Sequence, residues 1–156
     1  MTNTKEIIIY TDGAALGNPG PGGYGVVMLY GERRKEMHEG FRLTTNNRME
    51  LLAVIVALEA LKKENLQVVV NSDSQYVVNS IEKKWVHGWM KKGFKGKKNE
   101  DLWRRFMAVY PKHQVKMVWV KGHAGIKENE RCDELSVLAA KGHRLHTDAW
   151  YEANKE

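Results

Sequence analysis

The stretch Gln67-Val68-Val69-Val70-Asn71-Ser72-Asp73-Ser74-Gln75-Tyr76-Val77-Val78 decides the fold class. Its first half, Gln67 to Ser72, carries a contiguous β-branched run, the pattern of a strand buried on both faces. Its second half opens on Ser74 or Asp73 as a helix cap and reads as a helix from Ser74 to Lys83. A strand is predicted again at Val115 to Val120. Strand, helix and strand in succession imply a parallel pair joined by a right-handed crossover. Toward the N-terminus, Lys5 to Asp12 repeats the first half of the pattern: Ile7-Ile8-Ile9-Tyr10 is contiguous and apolar, and it too ends in an aspartate.

The remaining elements fill in an α/β domain. The loop Gly13 to Gly23, rich in Gly and Pro, reads as a turn, and Tyr24 to Tyr30 as a second strand. Gly31-Glu32-Arg33 marks a hairpin, so that Lys35 to Leu43 returns antiparallel. Met49 to Leu61 is apolar at almost every position and predicts a largely enclosed helix, with Thr44, Thr45, Asn46 and Asn47 as candidate caps. A helix at Leu102 to Ala108, capped by Asn99 or Asp101, is closed off by Pro111. The last spans Lys127 to Lys141 and stops at Gly142. No repeat or linker divides the 156 residues, which are read as one domain.

A chain of this length can build a core without disulfides, and its single cysteine, Cys132, cannot form one internally. Met1 to Glu6 lacks a basic n-region, and Ile7 to Tyr10 is too short for a signal sequence or a membrane span. We therefore expect a cytoplasmic monomer with no membrane partner. The net charge of +6 hints only weakly at a polyanionic partner, but its distribution is sharper. Seven lysines and no acid lie between Lys83 and Lys98, which accounts for the whole basic excess. Trp85, Trp89 and Phe94 are interleaved with them. Such a segment is either a solvated helix face or a groove for a sugar-phosphate backbone, and the aromatics favour the groove. The helical spacing of Trp85 and Trp89 also suits core packing for at least one of them.

Four acids stand where this topology can gather them. Asp12 and Asp73 end two strands that a parallel sheet can set side by side, at the mouth where open α/β sheets bind ligands. Unpaired they repel, whereas a divalent cation between them makes the arrangement favourable. Each has an ordinary alternative. Asp12 can open a turn, Asp73 can cap a helix, and Glu50 is spaced from Asn47 as in a capping box. Asp133 sits in a normally solvated, charged first turn. Their coincidence at strand ends and helix starts points to a metal-dependent hydrolytic site. His123, between Gly122 and Gly125, lies on a loop too glycine-rich to hold it in a core, which favours a functional role.

Several stretches, in order, resemble bacterial type 1 ribonuclease H: Tyr10-Thr11-Asp12-Gly13, Gly17 to Gly25, Thr44 to Leu51, Asp73 to Val77, Trp119 to Gly125 and Glu128 to Leu135. The resemblance covers about residues 6–140 and leaves the tail 142–156 unassigned. It implies a ribonuclease H-like fold, a five-stranded mixed sheet with helices on both faces. It implies an endonuclease that hydrolyses the RNA strand of an RNA–DNA hybrid and leaves 5′-phosphate and 3′-hydroxyl ends. A catalytically silent hybrid-binding module of the same fold is the alternative, and the intact acidic quartet argues against it. The resemblance maps the metal ligands to Asp12, Glu50, Asp73 and Asp133, with His123 assisting turnover. Asn18, Asn46, Asn47 and Gln75 are expected to line the substrate groove, Thr45, Arg48 and Asn99 to hold a DNA-strand phosphate, and Trp85 to belong to a basic protrusion, here shortened between Phe94 and Asp101. An all-carboxylate ligand set suits Mg²⁺, with Mn²⁺ as a substitute, rather than zinc. One ion or two would be held, and two about 3.5–4 Å apart could serve an in-line displacement.

Overall fold

A computed structural model describes residues 6–155; Lys5, the expected first residue of the N-terminal strand, lies outside them. Five strands form one mixed sheet: β1 (Ile7–Ala15), β2 (Gly20–Tyr30), β3 (Arg33–Thr44), β4 (Gln67–Ser72) and β5 (Gln114–Trp119), in the order β3-β2-β1-β4-β5. β1, β2 and β3 pair antiparallel as a meander, and β1, β4 and β5 pair in parallel. The two β-branched runs are therefore neighbours, with Thr11 opposite Ser72 in register. Asp12 and Asp73, each one residue further on, are therefore neighbours: β4 ends at Ser72, just before Asp73, whereas Asp12 is not the strand end expected from the sequence but stays within β1, opposite Gly25 of β2.

The helices are α1 (Asn46–Glu59), α2 (Gln75–Glu82), α3 (Trp85–Lys91), α4 (Glu100–Val109), α5 (Lys127–Ala140) and α6 (Ala149–Asn154), with a short 3₁₀ turn at Tyr110–Lys112. The pleat of β2 shows how they divide. Val26 enters the main core with α1, α2, α3 and α4, whereas its neighbour Val27 faces the other way, against Cys132 and Leu135 of α5. Successive strand side chains point to opposite faces, so the sheet is covered on both sides. α1 is the central helix; Leu51, Ala53, Val54, Ile55, Ala57 and Leu58 are fully buried, as its nearly uninterrupted apolar sequence requires.

Three boundaries depart from the sequence reading. The Gly/Pro loop is mostly strand, since β1 runs on to Ala15 and β2 begins at Gly20. Glycine serves packing here rather than turning: a Cβ on Gly25 would collide with the backbone of α5 at Cys132. α1 begins at Asn46, three residues before Met49, because the Thr45 side chain accepts from the Arg48 N–H as the N-cap. Finally, the tail holds α6, which Asp148 caps by accepting from the Tyr151 N–H.

Candidate active site

Gly13 brings the first two acids together. A Cβ there would lie 2.8 Å from that of Met49, so β1 can pass α1 this closely only without a side chain. That approach seats Glu50, on the first turn of α1, over Asp12. Asp73 leaves the neighbouring strand β4 just before Ser74 caps α2 by accepting from the Val77 N–H. Asp12, Glu50 and Asp73 can each offer a carboxylate oxygen within 4.8 Å of the other two. The bland reading of Asp73 as a cap is thus taken by Ser74, which leaves the carboxylate free for the cluster.

Three carboxylates so close cannot all be ionised in a buried setting. Burial, then the charge of Asp73, pushes Asp12 up to about 8, although the Gly13 N–H donates to its Oδ1 at 2.9 Å. Glu50, its carboxyl desolvated and facing both aspartates, is held well above the usual carboxylate range. Its Oε1 is sealed from solvent and meets no hydrogen-bond donor among the described residues. Two other buried oxygens lack partners, Thr11 Oγ1 beside Asp12 and Asn129 Oδ1 on α5 one turn before Asp133. Buried polar atoms are nearly always satisfied; of the three exceptions among the described residues, one belongs to this cluster, one adjoins it at Thr11, and the third lies one turn from Asp133. The donor set is hard oxygen throughout, and an acceptor without a donor is what a cation would satisfy. The residues fit a divalent Mg²⁺- or Mn²⁺-like ion.

Asp133, half-buried on α5, stands outside the triplet, but its charge still contributes to raising Asp12. The loop after β5 crosses the other side: a Cβ on Gly122 would lie 2.9 Å from Asp73 Oδ2, which sets the adjoining His123, exposed and at φ 56°, on the rim. Trp119 closes that rim by donating from Nε1 to the Asp73 carbonyl oxygen at 3.2 Å. Sequence reasoning missed Gly13, Gly122 and Trp119, because each acts through a close approach between segments distant in the chain.

A profile of the RNase H family matches residues 4–141. The chain belongs to the ribonuclease H family. A ribonuclease H of Desulforamulus reducens is 59% identical over 152 residues, covering 94% of this chain and 95% of the relative. Among solved structures, LC9-RNase H1, described as a type 1 RNase H with the type 2 active-site motif, superposes with a TM-score of 0.82 at 33% identity, over 100% of this chain and 83% of its own. LC11-RNase H1, solved in complex with an RNA/DNA hybrid, gives 0.62 at 30% identity over 86% and 96%. A ribonuclease H is a hydrolase and a nuclease, and the acidic cluster is the chemistry such an enzyme needs.

The residues expected to line a substrate groove are placed with less uniformity. Asn18 accepts from the Asn46 backbone N–H at 3.1 Å, and Asn46 Oδ1 accepts from the Ala15 N–H at 2.6 Å, which fixes the β1–β2 turn against the start of α1. The amide nitrogens of Asn18, Asn46 and Asn47 have no protein acceptor among the described residues. Gln75 is exposed at the first turn of α2, on the same edge as Asp73. Trp85 is 45% exposed with Lys83 Nζ 5.4 Å above its ring, while Trp89 packs on the core through Trp103. The two tryptophans of the basic segment therefore divide between surface and core.

Arg48 is a correction. It was expected at a phosphate, yet it is 2% exposed and all five of its N–H groups are used inside the protein. Asp148 accepts from Nε at 2.7 Å and Nη2 at 2.9 Å, Asp101 from Nη1 at 2.8 Å and Nη2 at 2.7 Å, and Asn99 Oδ1 from Nη1 at 3.3 Å. These partners hold the guanidinium firmly charged. Asn99 is not a side-chain cap either; it spans from Arg48 to the Tyr76 hydroxyl, to which its Nδ2 donates at 3.1 Å. Only an aspartate before the short Ala149-Trp150-Tyr151 run, a helix-start pattern, signalled Asp148 in the sequence.

Proposed function

We propose that the chain cleaves the RNA strand of RNA–DNA hybrids endonucleolytically, as a cytoplasmic monomer, leaving 5′-phosphate and 3′-hydroxyl ends. The observation that carries this reading is the triplet Asp12, Glu50 and Asp73, with a buried oxygen that has no donor of its own. Asp12, Glu50, Asp73 and Asp133 would hold Mg²⁺, or Mn²⁺ in its place. Bound there, one or two such ions would lower the pKa of a water nucleophile and stabilise charge on the departing 3′-oxygen. The protein contributes position and protonation. Asp12 and Asp73, fixed by parallel strands, face the scissile phosphate, and His123 on the rim takes or gives a proton as the leaving strand departs. The amide groups of Asn18, Asn46, Asn47 and Gln75 are suited to bond 2′-hydroxyls, the feature that separates RNA from DNA. Thr45 and Asn99 remain at a backbone phosphate, and Trp85 and its lysines at the DNA strand.

The test uses end-labelled RNA–DNA hybrid, single-stranded RNA and duplex DNA, each incubated with the protein in Mg²⁺ and in EDTA. Internal cuts are expected in the RNA of the hybrid alone, and only with the cation. Cleavage of single-stranded RNA at a comparable rate, or cutting in EDTA, would overturn the reading.

A further inference from the structure

Removing Arg48 from the list of phosphate ligands leaves a question of charge. Beside Thr45 and Asn99 lies a cleft of about 590 Å³, lined on one side by Lys97 and Lys98 and on another by the end of α6, including Lys155. Among the described residues no carboxylate lines it. The nearby acids are committed elsewhere: Asp101 and Asp148 are turned inward on Arg48, and Glu152 accepts from Arg42 Nε at 2.8 Å and Nη2 at 2.7 Å. Lys155 and Lys98 have no ion-pair partner among the described residues, and Lys97 lies 5.1 Å above the Trp89 ring. Three lysines thus converge on a polar cleft at the N-terminus of α1, supplied by two segments more than fifty residues apart in the chain.

We propose that α6 is a wall of the nucleic-acid groove and that Lys155 binds a backbone phosphate of the DNA strand opposite Lys97 and Lys98. This rests on the function proposed above. The Arg48 guanidinium then acts as an anchor: by seating Asp148, the cap of α6, it delivers to the cleft the cation that Arg48 itself cannot present. Trp150 strengthens the seat, its ring 5.1 Å from the guanidinium carbon. The tail is therefore part of substrate binding as well as of the fold.

Steady-state cleavage of a hybrid is to be measured against KCl concentration for wild type, Lys155→Ala, Lys155→Arg and Lys62→Ala. Lys62 lies beyond the far end of α1, about 21 Å from the cleft for a 14-residue helix, and serves as the control. Loss of one phosphate contact should lower the slope of log KM against log salt by up to about 0.9, equivalent to a KM about fivefold higher at 0.15 M salt when referred to 1 M. Lys155→Ala is expected to show both changes with kcat within twofold of wild type and an unchanged melting temperature, and Lys155→Arg to restore them. In a second arm, hybrid binding in Ca²⁺ is measured with one linkage at a time, in the DNA strand or in the RNA strand, replaced by a neutral methylphosphonate. One position should weaken wild type and leave Lys155→Ala indifferent, whereas sensitivity only to replacements in the RNA strand would overturn the assignment. A Lys155→Ala enzyme that matches Lys62→Ala in KM and slope would overturn the proposal, as would a KM rise without a change of slope. Failure of the wild type to cut any hybrid would instead refute the underlying function.

Discussion

His123 shows how a single residue can be legible in role and not in place. Its glycine-flanked loop is too open to belong to a core, and in the folded chain that loop passes directly over Asp73 because residue 122 has no side chain. Standing on the rim, without a hydrogen bond to fix it among the described residues, the imidazole can reach a proton at a departing group but is no member of the carboxylate cluster. His123→Ala should therefore lower kcat by about 10²–10⁴, the range of general acid–base assistance, while the Mg²⁺ concentration for half-maximal activity stays unchanged. Single-turnover rates across a Mg²⁺ titration would check both. Activity abolished, or a displaced Mg²⁺ midpoint, would make the histidine a ligand instead. Arg48 is the opposite case. Its sequence context beside Thr45 and Asn47 suggested a phosphate, and only the folded chain reveals that two carboxylates from 53 and 100 residues away reach it first.

At the level of elements, strands and helices dictated by local pattern were legible: β4 spans the expected Gln67 to Ser72, and α5 lies within the expected Lys127 to Lys141. What stayed hidden depended on long-range contact. β1 and β2 extend through a glycine-rich stretch because α1 and α5 press on it, and α6 is too short to stand by propensity alone. Its stability comes from the seat on Arg48, which makes a direct expectation. Thr44 Oγ1 donates to Asp148 at 2.7 Å, and Arg48 contributes two further bonds to the same carboxylate. Asp148→Asn should cost about 3 kcal/mol in a urea melt. That is the lower end for breaking a buried ion pair, since Asp101 still neutralises the guanidinium. Freed of its cap, α6 should also lose amide-exchange protection before the sheet does. A cost below about 1 kcal/mol would mean that the pair only breaks even with its desolvation.

For the molecule as a whole, the acidic site trades stability for the capacity to bind cations, and this trade has a pH signature. In the unfolded chain Asp12 ionises near its ordinary 3.8; in the folded, cation-free chain it keeps its proton to about 8, through burial first and the charge of Asp73 second. Between those values the native state binds more protons than the unfolded state, so unfolding free energy falls as pH rises, by at most about 1.4 kcal/mol per pH unit for each proton retained. The surface works in the other direction and in another window. Glu36, hydrogen-bonded by Arg131 and then Arg34, is lowered to about 2, so its contribution is present at neutral pH and lost only as pH drops below about 4.5 toward 2. Urea melts in EDTA should accordingly show stability declining from about pH 4 to pH 8. Mg²⁺ should flatten that decline, because an ion replaces the protons. Asp12→Asn should lack most of the slope in EDTA, be at least as stable as wild type near pH 8, and gain little from Mg²⁺, while cleaving no hybrid. A mutant clearly less stable than wild type in EDTA at pH 8 would show that Asp12 holds a turn, and an equal Mg²⁺-induced gain in both proteins would show that the cation binds elsewhere.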